Sequence, residues 1–297
     1  MMYWDDAEGT GYSPPSEDKG MILRVSIGCS HNACAFCGMY RDVAYRRRDL
    51  AEIEGQIRKA AECSPNLRSV FLGDGNAMSL PTEDLTAIIA MLKQRLPLLT
   101  SIACAASAKD INNKHSDLEK LRDAGLTLVY MGVESGDDDT LGAINKGADS
   151  AAIASAGQKI IAAGMQVSVM VIVGLAGTGR SLEHAIKTAD VINKIQPDML
   201  SIMTLQLREN TPLKRLADTG GFLPLTLPEV MTELEMLVKG LNVSRQCLLR
   251  ASRLYNPLAL SGTLPDDKES LLEQLREAID SGQLSEEGLR YKNYGIF

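Results

Sequence analysis

Val167-Ser168-Val169-Met170-Val171-Ile172-Val173-Gly174-Leu175 contains the longest nearly continuous apolar run of the chain. It is strand-sized and falls well short of the ~18–20 residues that cross a membrane. Its β-branched residues are apolar in both phases, the pattern of a strand covered on both faces, and Gly174 punctuates its end. Shorter segments of the same kind recur at Ile22–Ile27, Ser69–Leu72, Ser101–Ala106, Leu126–Met131 and Leu200–Leu205. Helical stretches follow the first five strands, at about Leu50–Ala61, Glu83–Leu96, Asp117–Ala124, Ala151–Ala163 and Leu182–Ile195. Ser116 with Glu119 fits a capping box, and Gly125 and Gly164 fit left-handed helix stops.

Six strand–helix units predict an α/β protein with a parallel sheet. Polar and special residues gather where the strands end: Cys29, Gly73-Asp74-Gly75, Glu134-Ser135, Gly174, then Gln206 and Arg208. That clustering predicts a partial (β/α)6 TIM-like barrel carrying a C-terminal helical extension. We expect a flexible N-terminal arm over residues 1–20, a barrel core over 21–213 and the extension over 214–297. Helices at about Pro228–Leu241 and Asp266–Ser281 belong to the extension, and Leu254–Lys268 reads as a loop.

The 297 residues carry a net charge of −7, with 45% apolar and 23% charged residues. This suits a globular core and disfavours nucleic acid or an anionic membrane as partner. The acidic N-terminus does not resemble a secretory signal, so the expected location is cytoplasmic. Six cysteines are present, and three of them, Cys29, Cys34 and Cys37, crowd one loop: Gly28-Cys29-Ser30-His31-Asn32-Ala33-Cys34-Ala35-Phe36-Cys37-Gly38-Met39-Tyr40. Clustered thiols in a reducing compartment point to a metal rather than to disulfides. Three thiolates suit an iron–sulfur cluster with one iron left open. A zinc site completed by His31 is the alternative; His31 lies only two residues after Cys29, and no second C-x2-C or H-x3-5-H half is present.

The loop and the strand-end motifs together resemble the radical S-adenosylmethionine (SAM) superfamily, in particular the branch of the Elongator catalytic subunit, tRNA methylthiotransferases and oxygen-independent coproporphyrinogen oxidase. The family's usual C-x3-C-x2-C is here C-x4-C-x2-C. Val70–Asn76 resembles the second-strand glycine motif that meets the SAM amino group, with Gly73, Asp74 and Gly75 as candidate contacts. Tyr130–Gly136, followed by Leu141 and Ile144–Gly147, resembles the fourth-strand segment, in which Glu134 reaches a ribose hydroxyl or the amino group beside Ser135. Val169–Gly177 resembles the fifth-strand segment under the adenine, with Gly174 at its turn, and Phe36 matches the aromatic whose backbone touches adenine. Leu205–Pro212 resembles the end of the sixth strand.

The resemblance implies that Cys29, Cys34 and Cys37 hold a [4Fe–4S] cluster and that SAM is the second cofactor. It implies reductive cleavage of SAM to a 5′-deoxyadenosyl radical that abstracts hydrogen from a small or medium-sized substrate. The electron would come from a one-electron donor such as a flavodoxin or ferredoxin. The competing classes are a zinc-dependent barrel hydrolase or lyase and a non-catalytic iron–sulfur protein. Cys63, Cys104 and Cys247 form no second cluster, which argues against an auxiliary centre and a methylthiotransferase. Cys104 reads mainly as a core residue, His115 and His184 as surface or capping residues, Lys159 as a helical surface lysine, and Arg41 with Arg46–Arg48 as a solvated helix start.

Overall fold

The computed structural model describes residues 2–3 and 20–281. Apart from Met2–Tyr3, the arm expected at the N-terminus lies outside the described residues. The elements run β1 (Met2–Tyr3), β2 (Met21–Arg24), β3 (Ser26–Ile27), β4 (Arg46–Arg47), α1 (Leu50–Cys63), β5 (Ser69–Gly73), α2 (Thr82–Arg95), β6 (Ser101–Ala106), α3 (Ala108–Asn113), α4 (Leu118–Ala124) and β7 (Leu128–Glu134). They continue with α5 (Asp138–Ala143), α6 (Ser150–Ala162), β8 (Gln166–Val173), α7 (Ser181–Ile195), β9 (Met199–Thr204), α8 (Pro212–Asp218), α9 (Leu227–Gly240), β10 (Cys247–Ala251), β11 (Leu260–Leu264) and α10 (Lys268–Asp280).

The main sheet has the linear order β1-β2-β5-β6-β7-β8-β9-β10-β11. Every pairing is parallel except β10 with β11. Strands β2 and β5–β9 are neighbours in chain order, each step crossing over through helical structure, which is the expected partial barrel left open at its flank. No helix among the described residues is long and apolar enough to cross a membrane.

Alternation along the strands sorts side chains onto two faces. Met21, Leu23, Val70, Leu72, Ile102, Cys104, Val129 and Met131 join the large core under the helices. The opposite phase contributes Ile22, Phe71, Ala103, Leu128 and Tyr130, a separate buried cluster on the concave face. Register aligns Ile22 with Phe71 and Ala103 with Leu128, and the Phe71 and Tyr130 rings meet edge-on at 5.7 Å. This apolar plug floors the barrel. Higher in the same phase Ala105, Gly132, Met170, Ser201 and Met203 are only partly covered, so the concave face opens toward the carboxyl ends of the strands.

Several local expectations change. Residues Arg46–Arg47 form β4, paired antiparallel to β3, so the exposed basic stretch that leads into α1 is also a hairpin arm. Helix α4 begins without the expected Ser116 cap, because His115–Asp117 tightens into a 3₁₀ turn and Asp117 accepts from the Thr82 hydroxyl. In the C-terminal part both expected helices form as α9 and α10, and two further strands join them. Strand β10 continues the parallel sheet beside β9, and β11 rises from the stretch read as a loop.

Candidate active site

The cysteine loop leaves the β3 end at Gly28, whose φ of 78° lies where a side chain would be strained. It is held from three directions. Ala35 N donates to Ile144 O beyond α5, and Leu213 N at α8 donates to Ala35 O, so two barrel-end turns grip the backbone beside Phe36. Arg41 donates from Nε to Cys37 O at 2.9 Å and from Nη2 to Cys34 O, tying the last two cysteines together. The third hold comes from the β5 turn: Gly75 N donates to Gly28 O, and a Cβ at Gly75 would stand 2.7 Å from Cys29 Cβ and 2.8 Å from the Tyr40 ring. Only glycine lets the two loops approach this closely.

Asp74, expected as a ligand contact, is also bonded within the chain. Its side chain is buried, with one oxygen accepting from Arg24 Nη2 at 3.0 Å and from Gly28 N at 3.3 Å, and the other from Tyr40 Oη at 2.6 Å. The carboxylate is committed to the base of the cysteine loop. Arg24, a charged side chain in an otherwise apolar strand, neutralises it there. Ser135 is likewise fully buried, its hydroxyl accepting from Asp137 N, so it shapes the turn after β7.

Glu134 ends β7 at a register shift and has φ 63°. Its Oε1 accepts from Lys146 Nζ at 2.9 Å. A Cβ at Gly132 would fall 2.1 Å from that oxygen, so glycine makes room for the pair. Lys146 stands between two left-handed residues, Asn145 and Gly147, in the turn that grips the cysteine loop. Burial pulls its ammonium down, but Glu134, then Cys34 and Cys37, hold it raised. Burial in turn pushes the Cys34 thiol up to about 11, against Lys146 and together with Glu134, Cys37 and Cys29; burial also raises Cys37. The three cysteines, Glu134 and Lys146 thus share one site. Lys146 is a residue that sequence reasoning quoted without assigning it.

The chemistry of this donor set fits an iron–sulfur cluster. The three thiols are half-buried, and burial raises those of Cys34 and Cys37, so a cationic iron cluster would supply the charge compensation that burial withholds there. A single zinc ion fits less well. The fourth ligand it would need is His31, whose ring is engaged elsewhere. The imidazole of His31 is exposed, and its Nε2 meets Asn145 O at 2.8 Å.

The sequence pattern of the radical SAM superfamily matches residues 23–192, more than half of the chain. The chain belongs to the radical SAM superfamily. The enzymes of this superfamily use a [4Fe–4S] cluster and S-adenosylmethionine. Among curated proteins it is similar to the heme chaperone HemW of Bacillus subtilis, 27% identical over 177 residues, covering 58% of this chain and 45% of that protein. It is also similar to anaerobilin synthase of Escherichia coli O157:H7, 25% identical over 122 residues, covering 39% of this chain and 27% of that protein. The chain therefore spans less than half the length of either. Its fold is shared with methylornithine synthase (TM-score 0.53, 17% identity, 86% of this chain and 80% of that one). It is shared too with coproporphyrinogen III oxidase of Escherichia coli (TM-score 0.56, 14% identity, 74% and 51%).

Other candidates of this radical SAM chain settle into structural positions. Cys104 and Cys247 are buried, the former in the core under the helices, and burial pushes both up to about 12. Lys159 donates to Asn112 Oδ1 and joins α6 to α3. His184, expected at the surface, is buried, with Nδ1 2.8 Å from Glu233 Oε1. Gly174 turns at φ 86° and its N–H donates to the same Glu233 oxygen at 2.8 Å.

Proposed function

We propose that this chain is a radical SAM enzyme whose Cys29, Cys34 and Cys37 ligate the cluster and whose strand ends bind SAM. The observation that carries the proposal is the gathering of three half-buried thiols on one loop beside the largely enclosed Glu134–Lys146 pair. When bound, the cluster and SAM together supply a 5′-deoxyadenosyl radical able to abstract hydrogen from a substrate over the barrel mouth. The chain's own residues position and enclose. Arg24, Asp74 and Tyr40 fix the base of the cysteine loop, and Arg41 fixes its exit. Lys146 presents a cation to the SAM carboxylate, while Glu134 accepts from its ribose or amino group. The Gly73–Gly75 turn and Gly174 bring backbone close to the ligand, beside Phe36 on the cysteine loop. The apolar plug keeps water from the floor.

The substrate is proposed to be small or medium-sized, and the electron donor a flavodoxin or ferredoxin. Cys29→Ala, Cys34→Ala and Cys37→Ala variants, reconstituted without oxygen, should each lose the visible absorbance of the cluster. Each should also produce no 5′-deoxyadenosine from SAM and dithionite. Full absorbance in all three variants would refute the ligand assignment.

A further inference from the structure

The buried carboxylate of Glu233 lies outside the segment matched to the superfamily, on the second turn of α9. Its helix position explains its burial: Val230, Glu233 and Leu237 fall on one stripe, and that stripe packs against α7 and the end of β8. There the side chain is 1% exposed and fully engaged. Oε1 accepts from Gly174 N at 2.8 Å and from His184 Nδ1 at 2.8 Å, and Oε2 accepts from the Ser181 hydroxyl at 2.6 Å. With Nδ1 donating to the carboxylate, His184 Nε2 is left buried and without a hydrogen-bond partner among the described residues. Such an arrangement orients the ring through Glu233 alone.

The same turn is braced from the C-terminal side at further points. Thr178 N donates to Leu223 O at 2.9 Å. Gly177 lies against Phe222, and Gly174 against Leu225. The backbone after β8 is thus clamped between its own strand and residues 222–233, and one carboxylate oxygen holds the Gly174 N–H.

We infer that Glu233 is a positioning residue for the nucleotide site, holding the Gly174 turn in the shape that receives the adenosyl part of SAM. The inference rests on the SAM-binding reading above. It makes the C-terminal part a component of that site rather than a cover. A buried acceptor is needed at this point because the Gly174 N–H and the imidazole N–H would otherwise be buried donors without partners, and the part-buried Ser181 hydroxyl would lose its acceptor. The requirement is for an acceptor oxygen, not for a charge. In Glu233→Gln the amide oxygen can accept from Gly174 and His184, while the amide nitrogen donates to the Ser181 hydroxyl.

The test measures equilibrium binding of S-adenosylmethionine and of S-adenosylhomocysteine to the full chain, reconstituted with iron and sulfide, together with iron content and the thermal midpoint. Glu233→Ala should weaken both ligands about tenfold, at unchanged iron content, with a KM for SAM raised more than kcat is lowered. Glu233→Gln should stay within about twofold of the wild type. Ser181→Ala, which removes only the partner of the far oxygen, should lower the thermal midpoint and leave both affinities unchanged. Should Glu233→Ala fail to fold, Glu233→Asp keeps the charge but withdraws the oxygen from Gly174, and the same loss of affinity is expected. Unchanged SAM affinity in the folded Ala or Asp variant would overturn the inference. A wild type that binds no SAM would instead overturn the SAM-binding reading itself.

Discussion

At Asp74 a single carboxylate organises the base of the cysteine loop, and its burial beside Arg24 makes the pair costly to break. Both side chains are almost fully enclosed, so removing Asp74 takes away a buried ion pair with Arg24 together with the acceptor of Tyr40 Oη and Gly28 N. Asp74→Ala should lower unfolding free energy by about 3–5 kcal/mol in denaturant titrations, well beyond the effect of an exposed pair such as Arg276–Glu235. Gly75→Ala acts on the same contact by sterics. Its new methyl would press on Cys29 and the Tyr40 ring, so iron bound per chain should fall, with a stability loss of about 1–3 kcal/mol. Iron content equal to wild type would count against the close approach. Arg24 had a signal in the sequence, being the one charge in an apolar strand. Asp74 had a signal too, as a glycine-flanked aspartate at a strand end, but its bonds to Arg24, Gly28 and Tyr40 show only once β2 and the cysteine loop are in place.

Helix α5 shows how an element is tied to its surroundings by electrostatics. Asp137 caps it, accepting from Thr140 N and Oγ1 while Lys187 Nζ and Arg180 reach across from α7 and the turn before it. Burial opposes ionisation, yet Lys187, Thr140 and Arg180 outweigh it and hold the carboxyl down at about 2. Its unfolded counterpart titrates near ~3.9. The stabilisation is therefore complete above about pH 4 and is lost as pH falls through about 2, a contribution of about 2 kcal/mol. Asp137→Asn should lose less of its thermal midpoint than the wild type when pH is lowered from 5 to 2. Equal losses would refute the assignment. The element types were largely legible: the six barrel strands and the main helices stand within a few residues of where their periodicity places them. Helices α3 and α5 were not, since each is short and lies in a strand-to-helix crossover. Strands β10 and β11 were hidden too, because Cys247–Ala251 and Leu260–Leu264 are brief and gain their partners only from the edge of β9 and from each other.

For the whole molecule, the C-terminal part completes what the barrel strands leave open. Strand β10 pairs with the free side of β9, and β11 closes over it in the reverse direction. A chain stopped after residue 213 would bare the β9 ladder along the side where Leu248–Arg250 now pair, and would lose Glu233 as well. Exposed ladders of this kind recruit other strands. Such a truncation should elute from size exclusion as oligomers or aggregate, and should not bind SAM. A monomer that binds SAM normally would show that the barrel strands suffice. The sequence expectation sets this region apart as an extension over residues 214–297. The helical spacing that puts Glu233 on an apolar stripe was present all along, and only the packing of α9 on α7 shows what the stripe covers.

The hydrocarbon stopper formed by Ile22, Phe71, Ala103, Leu128 and Tyr130 has a consequence for traffic. Among the described residues this cluster closes the lower end, which leaves the carboxyl-end mouth of the strands as the approach to the thiol-bearing segment. A bulky reductase and a bulky substrate that used the same doorway would have to visit in turn.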